Sequence, residues 1–451
     1  MSDAPDKRDG EGKRDARPVP TVSRCLPDGA LVELLYDPVR RATAFAFWRE
    51  GRWTIEPGLT LPTGERLAPF SPQNNIIRHD VVLLPSEPSE YGSKDDLLAD
   101  ITRFLRRYLD VDPAFEAIAA HYALFTWLYD AFNEVPYIRF QGDYGTGKTR
   151  ALLVLGSLCY KPFFASGASS VSPLFHILEA FRGTLVFDEA DFRFSDEKAD
   201  LVKVLNNGTV KGMPVLRTMM NREREFNPQA FQVFGPKIVA MRRSYDDRAL
   251  ESRFLTEVMG TRPLRGDVPI NLPTSMAEEA RALRNKLLLF RFRNRHVVQT
   301  DPTAAMAGVS PRMNQVLIPL LSVVDDPGAR RTIAQFAVVT QDDLTAERGL
   351  STEAQILELV REFAAETSRP AVALGDIAER FRTRFGEGYE RPITPRWIGT
   401  VLRERLHVAP FKSNGRYLLS VADRARLEQL YSRYGLTEPI PPHPLPGAID
   451  V

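Results

Sequence analysis

The spacing of hydrophobic residues changes along the chain, and each change predicts a different kind of structure. Between about Leu31 and Leu84, short alternating runs such as ATAFAFW and RWTIEP are separated by Gly and Pro turns, which predicts a small β-rich domain over residues 21–92. The next two segments, SKDDLLADITRFLRRYL and FEAIAAHYALFTWLYDAF, space their apolar residues three and four apart. This period predicts two amphipathic helices, forming a helical linker or collar over residues 93–134.

Strands and helices alternate in the middle of the chain. The apolar runs PYIRFQG, KPFFAS, RGTLVFDEA and FGPKIVAM read as strands, with helical stretches such as TRALLVLGSLCY between them. Because this alternation is typical of a parallel sheet covered by helices on both faces, we expect an α/β core over residues 135–270. Residues 271–346 are predicted to be mainly helical.

The last ordered stretch, residues 347–435, has three helical patterns followed by a hairpin signal. The helices are TEAQILELVREF, GDIAERFRTRF and TPRWIGTVLRERL, and Asn414-Gly415 marks a tight turn between two short strands. Three helices and a two-stranded wing are typical of a winged-helix domain. Its third helix and wing carry a basic patch, since between Arg391 and Ser420 six cations face Glu404 alone: Arg391, Arg396, Arg403, Arg405, Lys412 and Arg416.

On a winged helix the third helix enters the major groove and the wing touches the backbone, so Arg396, Lys412 and Arg416 are candidate nucleic-acid contacts. Trp397 lies in the same helix and is either a contact or a core residue. Winged helices also dock proteins, so that alternative stays open for this domain.

Composition narrows the function classes. The 451 residues are 43% hydrophobic and 26% charged, with 59 Lys and Arg against 58 Asp and Glu, so nucleic-acid contacts must come from local patches. Cys25 and Cys159 lie far apart, which indicates neither a disulfide framework nor a zinc site. No apolar run is long enough for a membrane span or a signal peptide, so we expect a cytoplasmic protein without a membrane role. Residues 1–20 are predicted to be a disordered arm and residues 436–451 a Pro-rich tail.

The strongest chemical signal is GDYGTGKT, which matches the phosphate-binding pattern G-x-x-x-x-G-K-[ST] between a predicted strand and a predicted helix. The glycines allow backbone N–H groups to surround phosphate oxygens, Lys148 supplies a cation to the β- and γ-phosphates, and Thr149 offers a hydroxyl to Mg²⁺. The alternative is a glycine turn that happens to carry Lys-Thr. The predicted nucleotide-binding residues are Gly142, Asp143, Tyr144, Gly145, Thr146, Gly147, Lys148 and Thr149.

Two carboxylates follow the apolar strand LVF some forty residues downstream. Asp188 at the strand end would complete the Mg²⁺ shell, and Glu189 would polarise the attacking water. Without a phosphate-binding loop upstream, such a pair would be read as a simple loop start.

Taken together, these motifs resemble the ASCE division of P-loop ATPases, and within it the AAA+ and superfamily 3 helicases of phages, plasmids and mobile elements. The resemblance covers about Pro136 to Ala346 and implies a P-loop NTPase fold with a helical lid over residues 271–346. It places a helix, a glycine turn and a β-hairpin in VKVLNNGTVKGMPVLRTMMNREREFNPQAFQVF. In the family this hairpin grips DNA in a central pore, which makes Lys211, Arg222 and Arg224 candidate phosphate contacts. The alternative is a solvated charged loop.

The resemblance also implies residues that act between subunits. DDRALESRF is similar to the segment that carries the arginine finger of ring ATPases, and Arg253 is favoured over Arg248. The alternative is a set of surface ion pairs. SPRMNQVLIPLL resembles the lid helix, which makes Arg312 a sensor 2 candidate. The sensor 1 strand of such families usually ends in Asn or Thr, whereas this chain has Met241-Arg242-Arg243, so the sequence does not identify a sensor 1 residue.

The sequence therefore predicts an ATP hydrolase that uses ATP and Mg²⁺ as a DNA motor of helicase or translocase type, in DNA replication or mobile-element maintenance. The resemblance implies a homo-oligomeric ring, with a hexamer favoured, single-stranded DNA in the ring and duplex DNA at the winged helix. Two other readings stay open. One is a DNA-bound ATPase switch or loader without unwinding, and the other is a protein-remodelling ATPase.

Overall fold

The chain folds into two compact units, the first ending at Ala337 and the second beginning at Val338. The structure is a computed structural model that describes residues 17–188, 196–220, 226–245, 248–366, 370–386, 389 and 392–436. Within these residues, no helix is both long enough and apolar enough to cross a bilayer.

The N-terminal region that the alternating pattern predicted to be β-rich contains two small sheets. An antiparallel sheet has the order β2-β3-β4-β5, and a second sheet has the order β1-β7-β6, in which β1 pairs with β7 in parallel. β1 starts at Val19, within the stretch predicted to be an arm. The strands are β1 (Val19–Thr21), β2 (Ser23–Cys25), β3 (Leu31–Asp37), β4 (Ala42–Arg49), β5 (Arg52–Glu56), β6 (Leu59–Thr60) and β7 (Arg66–Pro69).

Three helices follow, the short α1 (Asn75–Arg78) and then α2 (Lys94–Tyr108) and α3 (Pro113–Thr126). The hydroxyl of Ser93 and the carboxylate of Asp96 form a capping box that begins α2, and Asp112 caps α3. α3 is buried on almost every face after its first turn, and the ring of Phe115 packs on Phe140 of the central sheet. The second predicted helix is therefore part of the core.

The core is a five-stranded sheet with the order β14-β8-β13-β10-β9, and every neighbouring pair is parallel. This confirms the predicted mixed α/β core. Between α6 and β13, the chain leaves the sheet and forms an antiparallel hairpin from β11 and β12. The elements are β8 (Tyr137–Gln141), α4 (Lys148–Gly156), β9 (Phe163–Ser166), α5 (Val171–Phe181), β10 (Leu185–Asp188), α6 (Asp196–Asn207), β11 (Val215–Met220), β12 (Phe226–Phe231), β13 (Lys237–Met241), α7 (Arg248–Glu251) and β14 (Phe254–Val258).

The N-terminal sheet is fixed to this core by a buried charged network. Glu33 of β3 is 2% exposed and accepts hydrogen bonds from Arg291 Nε (2.7 Å) and the Tyr160 hydroxyl (2.7 Å). The ammonium of Lys161 lies 3.0 Å from the same carboxylate. A charge this deeply buried requires paired partners, and Glu33 of β3 finds them in the core.

The region after residue 271 is helical, as predicted, and contains α8 (Ser275–Asn294), α9 (Pro311–Leu321) and α10 (Pro327–Gly349). α10 runs through the boundary between the two units. Ser310 caps α9 and Pro311 takes its first position, where a missing N–H group costs nothing.

The second unit has its own core, built from helices and a three-stranded antiparallel sheet of order β15-β17-β16. Asn414 and Gly415, both with positive φ, form the predicted tight turn between β16 and β17. The elements after α10 are α11 (Thr352–Glu366), β15 (Ala371–Ala373), α12 (Leu374–Phe385), α13 (Pro395–Glu404), β16 (Phe411–Ser413), β17 (Arg416–Ser420) and α14 (Arg424–Arg433).

Candidate nucleotide site

The loop between β8 and α4 has a backbone that its glycines make possible. Gly147 has φ of 91° at the N-cap of α4, a conformation that side chains rarely adopt. A Cβ at Gly142 would lie 2.7 Å from the carbonyl oxygen of Met259, which excludes any side chain there. The result is a tight turn that directs the N-terminus of α4 and its backbone N–H groups toward the loop, an arrangement that favours anions.

The functional side chains of the loop are held in defined positions. Lys148 Nζ donates to the carbonyl oxygens of Gly142 (2.8 Å) and Asp143 (2.6 Å), so the ammonium lies against the loop. The Thr149 hydroxyl donates to Oδ2 of Asp188 at 2.7 Å. Two residues 39 positions apart thus present adjacent oxygen ligands, which is the chemistry that Mg²⁺ prefers.

The strand order of the sheet explains why Thr149 and Asp188 lie side by side. Asp188 ends β10, the loop follows β8, and β13 lies between them, so all three strands end at the same edge of the sheet. β13 brings Arg242 to this edge, where its guanidinium carbon lies 3.5 Å from the centre of the Tyr144 ring. This cation–π contact puts a positive charge over an exposed aromatic ring of the phosphate loop.

A cavity of about 460 Å³ opens beside the loop. One wall is the loop itself, and the other is the segment after β14, which Arg150 holds by donating to the carbonyl oxygens of Pro269 and Ile270. Exposed apolar side chains of Val258, Leu264 and Ile270 line it. The cavity combines apolar surface with a phosphate-binding edge, which fits a nucleoside attached to phosphates.

Two carboxylates, those of Asp110 and Glu257, are among the polar groups that line this cavity. Oδ1 of Asp110 accepts from Arg262 at 3.1 Å, and Oε1 of Glu257 accepts from the backbone N–H of Asp112 at 2.8 Å. Burial of Glu257, with some contribution from the nearby Asp112 and Asp110 carboxylates, raises its pKa from 4.5 to about 7. Glu257 is therefore partly protonated at neutral pH and can donate as well as accept hydrogen bonds.

Arg253 lies at the other edge of the sheet. It precedes β14, and its carbonyl oxygen accepts from the N–H of Tyr137, the first residue of β8. β8 has five residues, so at about 3.3 Å per residue the two edges are about 16 Å apart. Nη1 of Arg253 donates to the carbonyl oxygen and Oδ1 of Asn206 (2.6 and 2.7 Å) at the end of α6. Arg253 therefore does not reach the phosphate loop of its own chain.

Two further predicted residues also lie away from the loop. Gln315, one turn after Arg312 in α9, donates to Glu134 at 3.2 Å, and Glu134 precedes β8 at the far edge of the sheet. Arg312 is exposed in the first turn of the same helix. Lys211 is exposed near that edge too, and its Nζ donates to the carbonyl oxygen of Asp130 at 3.4 Å.

Several predicted residues lie outside the part of the chain that the structure describes. They are Glu189, Arg222, Arg224 and Arg391, together with most of the predicted arm and tail, and the side chain of Arg248. In the second unit, Arg396, Lys412 and Arg416 are exposed, whereas Trp397 packs edge-on against Phe381. Arg405 of the basic patch forms an ion pair with Glu353 at 3.0 Å.

The sequence analysis missed three contributors to the site, Glu257, Asp110 and the pairing of Arg242 with Tyr144. A signal was present for Arg242, which directly follows an apolar strand. No signal was present for Glu257, because an acidic residue inside FLTEV breaks the apolar pattern that would indicate a buried strand.

Within the described ranges, no group of three or more His, Cys, Asp or Glu side chains is placed to hold a metal ion. Thr149 and Asp188 fit Mg²⁺ as a shared ion, with nucleotide phosphates and water supplying the other ligands.

No protein-family model matches the chain, and no curated protein is similar to it in sequence. Three solved structures show weak similarity. The apo NrS-1 C-terminal region has 11% identity and a TM-score of 0.38, covering 87% of this chain and 96% of that one. JCV helicase with a bound small molecule has 15% identity and a TM-score of 0.23 (59% and 65% covered). The Aeropyrum pernix ORC1 protein in complex with DNA has 16% identity and a TM-score of 0.20 (78% and 93% covered). The α/β core is assigned from its strand order and from the glycine loop between β8 and α4.

Proposed function

We propose that the protein is an ATP-hydrolysing, DNA-associated motor of helicase or translocase type. The observation that carries the ATPase part is the 2.7 Å hydrogen bond between Thr149 and Asp188 at the end of a phosphate-binding loop. A glycine turn without function would not require a carboxylate from another strand beside the Lys-Thr pair.

In this proposal, different residues of the chain bind the phosphates, the Mg²⁺ ion, the attacking water and the nucleoside. The loop N–H groups and Lys148 hold the β- and γ-phosphates, and Thr149 and Asp188 hold the Mg²⁺ that neutralises phosphate charge. Glu189 polarises the attacking water. The cavity beside the loop takes the nucleoside, with its base against Val258, Leu264 and Ile270.

Arg253 and Arg312 lie near the opposite edge of the sheet in their own chain, so in the proposal they contact the nucleotide of a neighbouring subunit. That arrangement requires a ring or another head-to-tail assembly, since each site is incomplete without the next chain. A hexameric ring is the form we favour. Arg248 is the second candidate for the same role.

The DNA part of the proposal depends on charged side chains outside the nucleotide site. Lys211, Arg222 and Arg224 would contact the phosphates of a single strand through the β11–β12 hairpin. In the second unit, Arg396 of α13 and Lys412 and Arg416 of the β16–β17 hairpin are exposed on the elements that a winged helix uses for duplex DNA. The packing of Trp397 against Phe381 favours a core role for that residue.

The test is steady-state ATP hydrolysis with and without single-stranded DNA at several salt concentrations. We expect several-fold stimulation that fades with salt, and loss of turnover in Lys148→Ala. Arg331→Ala, which removes an exposed cation on α10, is the matched control and should behave like wild type. ATP turnover that is the same with and without DNA would refute the DNA-motor proposal and favour protein remodelling. Stimulation without strand displacement would favour a switch or loader.

A further inference from the structure

A second cavity, of about 660 Å³, lies at the edge of the parallel sheet opposite the phosphate loop. Its lining includes Arg182, which precedes β10, and Phe234, which precedes β13, together with Arg24 and Cys25 of β2. The cavity is therefore enclosed by the N-terminal sheet on one side and the ATPase core on the other.

The lining of this cavity is strongly cationic. Among the described residues of the lining, Asp130 is the one acidic side chain. The lining also contains five basic side chains, those of Arg24, Arg182, Lys211, Arg291 and Arg295. Burial disfavours the ionised Asp130, but Arg291, which donates to both carboxylate oxygens (2.8 and 2.9 Å), and Arg295 outweigh it and hold the pKa of Asp130 well below its usual range. Arg291 is also balanced by the buried Glu33, so the excess positive charge of the lining comes from Lys211 and from Arg24 and Arg182, whose ion pairs are partly exposed. This charge favours a ligand with several negative charges.

Three of these cations are accessible. Lys211 and Arg182 are exposed, and the side chain of Arg24 is 36% exposed. Arg24 pairs with Glu65 and Arg182 with Glu179, both in partly exposed ion pairs. Such pairs are weak, so both guanidinium groups can be shared with a phosphate.

Aromatic rings complete the lining. Phe70 and Phe234 are half-buried in the lining, and the centre of the Tyr129 ring lies 5.7 Å from the centre of the Phe234 ring. Cations beside accessible aromatic faces suit a chain of phosphates that carries bases, because any base can stack on such a ring. A simple inorganic anion would use only the cations.

The cavity also lies at the base of the β11–β12 hairpin. Lys211 comes four residues before β11, and Gln232 directly follows β12, so both ends of the hairpin start from the cavity lining. A strand held by the hairpin would pass next to this cavity.

We propose that this cavity binds a single strand of nucleic acid, with backbone phosphates on Arg24, Arg182 and Lys211 and a base against Phe70 or Phe234. This inference rests on the proposed DNA motor and adds to it a strand path between the N-terminal sheet and the core.

The first experiment measures binding of a fluorescent oligo(dT) of roughly 20 nucleotides by anisotropy across salt. The variant is Arg24→Ala/Arg182→Ala, which leaves Lys211 in place because the proposed motor also uses it as a hairpin contact. The matched control is Arg52→Ala/Arg331→Ala, which removes two exposed cations elsewhere in the same unit. Each phosphate contact contributes about 0.7 to the slope of log K against log salt for single strands, so the slope should fall by about 1.4. At 0.1 M salt this corresponds to about 25-fold weaker binding. Melting temperatures establish that each variant is folded.

The second experiment uses the unmutated protein. Cys25 is exposed in the cavity wall and Cys159 is fully buried, so alkylation reports on Cys25, with Cys25→Ser as the control for labelling position. Because desolvation raises the pKa of Cys25, labelling is done near pH 8.5, where more thiolate forms. We expect oligo(dT) to slow labelling several-fold, and free inorganic phosphate at the same phosphate concentration to do so much less.

The outcomes separate this inference from the proposed function. If oligo(dT) binds and stimulates ATP hydrolysis but neither the double variant nor the labelling rate responds, the cavity is not the strand site and the motor stands. Protection of Cys25 by inorganic phosphate or heparin but not by oligo(dT) would show a general polyanion site and overturn the inference. An absence of oligo(dT) binding and of stimulation would refute both proposals.

Discussion

Replacing Arg253 by alanine tests whether this residue serves a neighbouring subunit or only its own helix. Its Nη1 atom donates to the carbonyl oxygens of Leu205 (3.3 Å) and Asn206 (2.6 Å) and to Oδ1 of Asn206 (2.7 Å). Hydrogen bonds from a charged donor contribute about 1.5–3 kcal/mol, and these three share one nitrogen, so we expect the variant to lose about 2 kcal/mol. For the first unit, which ends at Ala337, an unfolding entropy of about 2.1 cal/mol/K per residue means that the melting temperature should fall by about 3 °C.

A role as arginine finger predicts a much larger effect on catalysis. Loss of such a residue lowers kcat by about 10³-fold or more, whereas a protein of ordinary stability stays folded at 25 °C after losing about 2 kcal/mol. The assay compares ATP turnover of Arg253→Ala, Arg253→Lys and the control Arg331→Ala at 25 °C. A mixing experiment then combines Arg253→Ala with Lys148→Ala, because a mixed ring contains interfaces with one intact loop and one intact arginine.

We expect each variant alone to be inactive and the mixture to recover part of the activity. Lysine retains a charge but not the planar group that bridges two oxygens, so Arg253→Lys should remain strongly impaired. If Arg253→Ala melts several degrees lower but hydrolyses ATP within about threefold of wild type, Arg253 is a helix cap only and the finger assignment is wrong.

Three further predictions concern the site and the core. Thr149→Ala and Asp188→Asn should weaken binding of a fluorescent ATP analogue in Mg²⁺ far more than in EDTA, and equal losses in both would contradict a role in holding the ion. Because the pKa of Glu257 is about 7 in the folded protein against 4.5 in the unfolded chain, the free energy of unfolding falls as pH rises from about 4.5 to 7. Urea unfolding of Glu257→Gln should therefore give a free energy of unfolding about 3 kcal/mol above that of wild type at pH 8, and almost the same value as wild type at about pH 4.5. Equal pH profiles for Glu257→Gln and wild type would refute that assignment. Arg139→Ala leaves the buried carboxylate of Glu251, which it contacts at 2.6 Å, without its cationic partner. Denaturant unfolding should therefore show a loss of about 3–5 kcal/mol in the free energy of unfolding, with part recovered in Arg139→Met/Glu251→Gln. A cost below about 1 kcal/mol would show that the pair is not buried in solution.

The features that the sequence predicted correctly are those formed by neighbouring residues. The turn between β8 and α4 needs only its glycines and the flanking strand and helix. Asn414-Gly415 specifies its turn because both residues accept positive φ. The parallel core could also be predicted from the sequence, since alternating strands and helices have few other ways to bury both faces of a sheet.

Features that depend on distant residues could not be predicted. β14 carries the buried Glu257, whose charge breaks the apolar pattern, and its position beside β8 depends on pairing between segments more than a hundred residues apart. The same holds for Glu33, whose partner Arg291 is 258 positions away. Whether a charged residue ends in a helix cap, a buried pair or a binding site is decided by strand order, which local sequence does not encode.

One strand, β13, joins the two proposed sites. Phe234 comes shortly before it in the cationic cavity, and Arg242 directly follows it over Tyr144 of the phosphate loop. β13 is fully buried and hydrogen-bonded on both sides, so it moves with the sheet and does not stretch. A displacement of Arg242 when the nucleotide changes should therefore be accompanied by movement at the cavity edge. We expect the alkylation rate of Cys25 to differ between the ADP-bound protein and the protein with a non-hydrolysable ATP analogue, and this difference to vanish in Lys148→Ala. Equal rates in both nucleotide states would show that the two edges of the sheet act independently.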